Sequence, residues 1–371
     1  MTDKKESPST WVEIDLGAIE QNARSFCRRT GVEVMAVVKA NAYGHGAVPA
    51  ARAALRGGAT WFGVARIEEA LELRQASLES PILILGYTPP GRLTEAIAND
   101  VSLTVWDADY FQAISREAGK LGKTARLHLK VDTGMSRLGA QPGRATEMAE
   151  TINRLPGITL EGIFTHFARA DESDPGPTNS QLKAFREVIE ALEAKRLRPA
   201  YVHASNSAAG LTRPEAYFDL VRTGIALYGL QPSSECRLTP EFRPALTWKT
   251  RLSQVKTLPA GRGVSYGHTY TTKAQERIGT LPVGYADGFR RLPGNHVLVG
   301  GRKVPVIGRV TMDQIMVRLN GVSQAKVGDE VVLIGQQGEA CITAEQVAET
   351  WGTINYEVVC AIGSRVSRIY A

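Results

Sequence analysis

The chain has 371 residues, 43% of them hydrophobic and 22% charged, with a net charge of +6. That is ordinary globular composition, long enough for one large barrel plus a second domain. Lys and Arg are scattered rather than blocked into runs, which argues against a nucleic-acid partner, and no apolar run reaches the length of a membrane span.

The opening stretch "MTDKKESPST" has no apolar core and no cleavage site, so residues 1–10 read as a frayed tail and not as a signal peptide. Cys27, Cys236, Cys341 and Cys360 fit no zinc or disulfide spacing, so reduced thiols and a cytoplasmic location are expected. From residue 11 to about 240, short apolar runs alternate with amphipathic stretches. "VEVMAVV" ends at Val38 as a buried strand. "WFGVA" (61–65), "PILILG" (81–86), "VSLTVW" (101–106) and "RLHLKVD" (126–132) follow as strands. Between the last two, Phe111, Ile114, Ala118 and Leu121 recur at helical spacing, with Asp107 placed to cap the helix. "ITLEGIFTHF" (158–167), "YVHAS" (201–205) and "YFDLVRTG" (217–224) are three more strands. Leu182, Phe185, Ile189 and Leu192 make one stripe of a helix before "YVHAS".

Roughly eight strand–helix units predict an α/β fold, a (β/α)₈ TIM-like barrel over residues 11–240, with a doubly wound open sheet as the competitor. After a proline-marked boundary (Pro232, Pro240, Pro244) the texture changes. Short strands separated by Gly, Pro, Asn and Asp turns predict a mainly antiparallel β domain over 241–371, with one short helix capped by Thr343.

The chemistry-bearing residues gather at predicted strand ends, where a (β/α)₈ barrel places its site. Lys39 closes the first of these strands in "AVVKANAYGHG". Arg137 follows "HLKVD", His166 ends "FTHF", Ser205 ends "YVHAS", and Arg222 ends "DLVRTG" ahead of Gly224. Each has a bland alternative: a snorkelling lysine, a satisfied core histidine, a rim ion pair, a tyrosine (Tyr43) merely packed. A lysine in such a place suggests a Schiff base to a carbonyl substrate or to pyridoxal phosphate. Tyr43, Ser205 and the Gly224–Ile225 backbone would suit a phosphate.

The block "AVVKANAYGHG" resembles the cofactor-lysine signature of the alanine racemases, fold-type III pyridoxal-phosphate enzymes. The likeness continues in order through "KVDTGMSRLG", "THFARAD", "HASNSAA", "VRTGIALYG", "VSYGHTY", "LPVGYADGFRR", "GRVTMDQIMV" and "NYEVVCAIGSRV". It implies an isomerase that interconverts L- and D-alanine for peptidoglycan, built as a homodimer in which each β domain completes the partner's site. It implies that Lys39 carries pyridoxal 5'-phosphate as an imine. Tyr43, Ser205, Gly224, Ile225 and Tyr356 would hold the phosphate, and Arg222 would face the pyridine nitrogen with His166 beside the ring. Lys39 and Tyr266 would be the two bases, the lysine acting on D-alanine and the tyrosine on L-alanine. Arg137 and the Met312 backbone would take the substrate carboxylate, Tyr285 would line the entrance, and Asp313 would keep its place beside Met312. Thr311 stands where some members have cysteine, which bears on substrate preference.

Two bases suit the task, because one group cannot easily serve both faces of a planar intermediate. Phenols ionise near pH 10 in water, so such a base wants cations close by. Lys130 lies on the strand face that leads to Arg137, and two cations side by side are costly. The family resemblance implies a carbamate on Lys130; the plain alternative is a pair with Asp132. Serine or broad-spectrum racemisation, a barrel-type decarboxylase and a non-catalytic pyridoxal-phosphate carrier are the alternative functions. A metal-dependent hydrolase lacks its early His-x-His pair, so no metal is expected.

Overall fold

The computed structural model describes residues 8–371, so the expected tail lies outside the described residues as far as position 7. The chain divides into two units, one spanning Gly17–Pro244 and the other built from the N-terminal segment up to Leu16 together with Ala245–Ala371.

The first strand, β1 (Thr10–Ile14), belongs to the second of these units. The barrel strands follow: β2 (Glu33–Val37), β3 (Trp61–Val64), β4 (Ile82–Ile84), β5 (Val101–Val105), β6 (Ala125–Lys130), β7 (Ile158–Phe164), β8 (Tyr201–His203) and β9 (Leu220–Thr223). Their pairing order is β8-β7-β6-β5-β4-β3-β2-β9, all parallel. The ends meet, because Asp219 N–H donates to the Val202 carbonyl (3.0 Å) and Arg222 N–H to the Ser205 carbonyl (3.1 Å). That closure favours the barrel over the open sheet. Met35, Trp61, Leu83, Phe164 and Leu220 pack together in the core, as inward positions of a filled barrel do.

The helices sit where periodicity places them. Asp107 caps Ala108–Leu121 by accepting from Asp109 N–H at 3.0 Å, and Gly122 ends it in the left-handed conformation. The stripe of Leu182, Phe185, Ile189 and Leu192 is the buried face of Gly176–Ala194.

The β unit contains β10 (Leu246–Arg251), β11 (Gln254–Leu258), β12 (Gly263–Val264), β13 (Tyr270–Thr271), β14 (Glu276–Leu281), β15 (His296–Val299), β16 (Arg302–Ile307), β17 (Ile315–Arg318), β18 (Glu330–Gln337), β19 (Ala340–Ile342) and β20 (Ser367–Tyr370). Its main sheet runs β11-β14-β17-β16-β15-β18-β10-β1-β20, antiparallel except for the β1–β20 pair.

Two expectations need correction. Residues from 11 onward were expected to open the barrel, yet β1 lies between β10 and β20 in the other sheet. Val12 and Ile14 are fully buried there, and the Thr10 and Thr250 hydroxyls meet at 2.9 Å. The barrel has no gap for this strand, because β2 pairs directly with β9. The β unit also holds a second helix, Asn355–Cys360, besides the expected Ala344–Trp351. Its six residues are too few to display a helical period, whereas Thr343 does cap Ala344–Trp351 through Gln346 N–H at 3.2 Å.

Candidate active site

Lys39 leaves the carboxyl end of β2 at the start of an unusual turn. Ala40, Asn41 and Ala42 all sit near φ 53° in the left-handed region, and Tyr43 shares that φ. Non-glycine residues pay roughly 1–2 kcal/mol each for that conformation. The turn is pinned at both ends. Glu69 accepts the Ala40 N–H at 2.6 Å, and Asn41 Oδ1 accepts the Ala47 N–H at 2.8 Å. The result delivers Tyr43 to Gly224, whose missing Cβ would stand 2.7 Å from the tyrosine hydroxyl. The Tyr43 ring packs 5.1 Å from that of Tyr228, whose hydroxyl donates to the Val37 carbonyl.

Around this corner the barrel collects positive charge. Arg222, on β9 and 3% exposed, donates to His203 Nδ1 (2.7 Å), the Thr165 carbonyl (2.8 Å), the Ala204 carbonyl (2.9 Å) and His166 Nδ1 (3.2 Å). Lys130, on β6 and 4% exposed, lies over the Phe164 ring, and so does Arg222. Burial, then the charges of Arg137 and Arg222, pull the Lys130 ammonium down to about 8. Burial and the charges of Arg222, Arg137, Lys130 and Lys39 hold His166 well below the usual imidazole value, so it is neutral. Four cations therefore converge on one neutral histidine. Asp132 favours the Lys130 ammonium through space, against the pull of burial and the cations, while its Oδ1 accepts the N–H groups of Gly134, Met135 and Ser136, all at 3.0 Å, which shapes the loop carrying Arg137. Such a cluster suits an anionic ligand.

The remaining expected residues lie in the β unit. Tyr266 is 71% exposed in a short turn after Ser265, whose hydroxyl donates to the Arg309 carbonyl at 2.6 Å. Tyr285 and Met312 are brought together: Tyr285 N–H donates to the Thr311 carbonyl, and Ala286 N–H to the Met312 carbonyl, both at 3.1 Å. Gly284 permits this approach, since a Cβ there would meet the Met312 carbonyl at 2.2 Å. Asp313 is tied to Arg365 at 2.6 Å, and Arg365 in turn to Asp287 at 2.7 Å. Tyr356 stands half-buried on Asn355–Cys360.

Family models for the alanine racemase N-terminal domain and C-terminal domain match residues 14–232 and 245–370. The alanine racemase of Symbiobacterium thermophilum is 48% identical over 364 residues, covering 97% of each chain. The chain belongs to the alanine racemase family. An alanine racemase structure from a Streptomyces lavendulae that produces D-cycloserine superposes with a TM-score of 0.94 at 43% identity, covering 99% of this chain and 98% of that one. The Bacillus anthracis alanine racemase with bound L-Ala-P gives 0.93 at 42% identity, over 98% and 95%.

The geometry sets one expected residue apart from the others. Ser205 is fully buried, and its hydroxyl donates to the Ala216 carbonyl at 2.7 Å. The serine beside Gly224 is Ser207, whose Oγ accepts the Gly224 N–H at 2.9 Å and the Ala226 N–H at 3.4 Å. The two lie two residues apart in "HASNSAA", and only the cap that Asn206 makes to Ala209 N–H (3.0 Å) turns the second one toward Gly224. His203, Ser207 and Glu69 are the residues that sequence reasoning missed. His203 had a signal, since strand alternation puts it on the same face as Ser205, the strand-end residue already singled out.

Proposed function

We propose that this alanine racemase family member interconverts L- and D-alanine, using pyridoxal phosphate held in the barrel and a second copy of the chain to complete each site. The observation that carries the reading is Arg222: a buried guanidinium fixed by two imidazoles and two carbonyls and, among the described residues, by no carboxylate. Burial pulls the Arg222 guanidinium down to about 9, so at neutral pH it is still protonated and only donates, and facing a pyridine nitrogen it leaves that nitrogen bare.

The residues present fit the cofactor. Gly224 has no Cβ to crowd the Tyr43 hydroxyl, Ser207 Oγ sits on the Gly224 N–H, and the buried Ile225 follows, a set of hydroxyls and close backbone that suits a phosphate. Ser207 takes the place expected of Ser205, while Tyr43, Gly224 and Ile225 keep theirs, and Tyr356 is the candidate from the β unit. Lys39 would bear the aldehyde carbon. Once bound, pyridoxal phosphate acidifies the substrate's Cα–H; the protein supplies the rest. The Lys39 amine removes or returns the Cα proton on one face and acts on D-alanine. The hydroxyl of Tyr266 of the partner subunit does the same on the other face and acts on L-alanine. Arg137 and the Met312 N–H hold the substrate carboxylate, the Met312 carbonyl being already occupied by Ala286. Tyr285 lines the approach, and His166 fixes the far side of Arg222. A carbamate on Lys130 would turn a crowded cation into a partner for Arg137. Serine and other amino acids are competing substrates that the same assay separates.

The test is a visible absorption band of lysine-bound cofactor that is lost in Lys39→Ala, together with D/L interconversion measured across a panel of amino acids. A band that survives in Lys39→Ala, or a protein that interconverts no alanine, overturns the reading.

A further inference from the structure

Among the described residues Arg222 has no carboxylate partner, yet its hydrogen bonds lead to one. His203 takes an Arg222 N–H on Nδ1 at 2.7 Å, and its Nε2 meets His128 Nδ1 at 2.9 Å. His128 Nε2 meets Glu161 Oε2 at 3.1 Å. Both imidazoles are fully buried inside the barrel. Glu161 is held in turn by the Ser102 hydroxyl and by Arg126, with N–O 3.4 Å.

The polarity of this chain is forced. Arginine can only donate and an ionised carboxylate can only accept. Two neutral imidazoles between them close the series in one way: each has a bare Nδ1 and a protonated Nε2, and each N–H donates toward Glu161. Burial pushes both imidazoles down and outweighs the Glu161 hydrogen bond on His128, so both are neutral. Burial raises the Glu161 carboxyl, but the hydrogen bonds from His128 and Ser102 and the charge of Arg126 bring it below the ordinary carboxylate value.

The fold makes room for the chain. A Cβ on Gly162 would stand 2.4 Å from His128 Nδ1, so the imidazole fits only because β7 has glycine there. The Phe164 ring stacks on His203, with centroids 4.7 Å apart and 8° between planes, and carries Arg222 on a face. Apolar side chains would fill this layer of the barrel at lower cost.

We propose that Glu161 is a positioning residue for Arg222, serving as its remote counter-charge through the His203–His128 pair. The carboxylate polarises both imidazoles, which strengthens His203 Nδ1 as an acceptor and holds the guanidinium in one orientation. The consequence for catalysis rests on the proposed placement of Arg222 at the cofactor nitrogen; the tautomers do not.

The test uses the full chain labelled with [15N]histidine and [15N]arginine. The expected result is a bare Nδ1 and a protonated Nε2 on both His128 and His203, with slowly exchanging Arg222 guanidinium protons. In Glu161→Leu the His203 Nδ1 resonance moves, and Arg222 proton exchange quickens by about tenfold or more, in keeping with weakening one charge-assisted hydrogen bond. Glu161→Gln, which keeps an acceptor and loses the charge, gives a smaller change of the same sign. In the cofactor-loaded protein both variants lower kcat with KM little changed, the glutamine variant less. A protonated Nδ1 on either histidine of the unsubstituted chain overturns the proposal. So does unchanged Arg222 exchange in folded Glu161→Leu, or in Glu161→Gln should the leucine variant not fold. An unsubstituted chain with the expected tautomers but no racemase activity defeats the functional reading of Arg222 instead.

Discussion

Lys130 is buried beside three other cations, Arg137, Arg222 and Lys39, with Asp132 as the opposing charge. With its ammonium pulled to about 8, the neutral amine gains population as pH rises through that value. The neutral amine is the form that adds to CO₂, releasing a proton as the carbamate forms. A 13C carbamate signal from labelled CO₂ should therefore grow as pH rises through about 8, and should be absent in Lys130→Ala. A bare amine at every pH ends the proposal. While it stays bare, the sign for stability follows from the depressed value: above about 8 the unfolded chain binds the extra proton, so stability rises with pH until the ordinary lysine range near 10.4 is reached. The two serines of "HASNSAA" give a second contrast. Ser207→Ala should weaken cofactor binding about tenfold, the worth of one good hydrogen bond to an anion. Ser205→Ala should leave that affinity alone and cost about 1 kcal/mol of stability through the orphaned Ala216 carbonyl. Equal effects in a cofactor titration would restore Ser205 to the site.

The turn after β2 is the element that carries the most strain. Successive non-glycine residues in the left-handed region persist only where surroundings over-determine them, and Glu69 does that here. It accepts from Ala40, Ala65 and Arg66 with one carboxylate. Glu69→Ala should cost about 2–3 kcal/mol in a denaturant melt and lower cofactor occupancy by loosening Lys39. Ala40→Gly, at an exposed position with φ 53°, should leave stability unchanged or raise it by about 0.5–1 kcal/mol, relief of the left-handed penalty outweighing the entropy of glycine. A clear loss in Ala40→Gly would show that the turn is not strained. None of this was legible locally: "KANAYGHG" reads as a strand running into a glycine-broken loop, and the partner that fixes the turn stands 29 residues on, at Glu69.

At the scale of the whole molecule, Tyr266, Tyr285 and Met312 on the β unit are exposed, and the proposed sharing of each site between two copies has a direct test. Lys39→Ala and Tyr266→Phe should each be inactive alone. Refolded together they should recover roughly one quarter of the normal number of sites, because half the dimers are hybrids and each hybrid has one intact site. No recovery would place both bases on one chain.

Periodicity and composition were enough to give the parallel eight-strand count, the Asp107 and Thr343 caps and the change of texture near residue 240, because each depends on neighbours within one or two turns of chain. The tertiary structure alone decided where the first strand goes. "TWVEI" would pair equally well in any sheet, and only the register with Leu246–Arg251 and Ser367–Tyr370 assigns it. The same holds for the line from Arg222 to Glu161. Its members come from four strands and close into one chain of hydrogen bonds only when the barrel brings β6, β7, β8 and β9 around a common axis, which no local pattern in the sequence records.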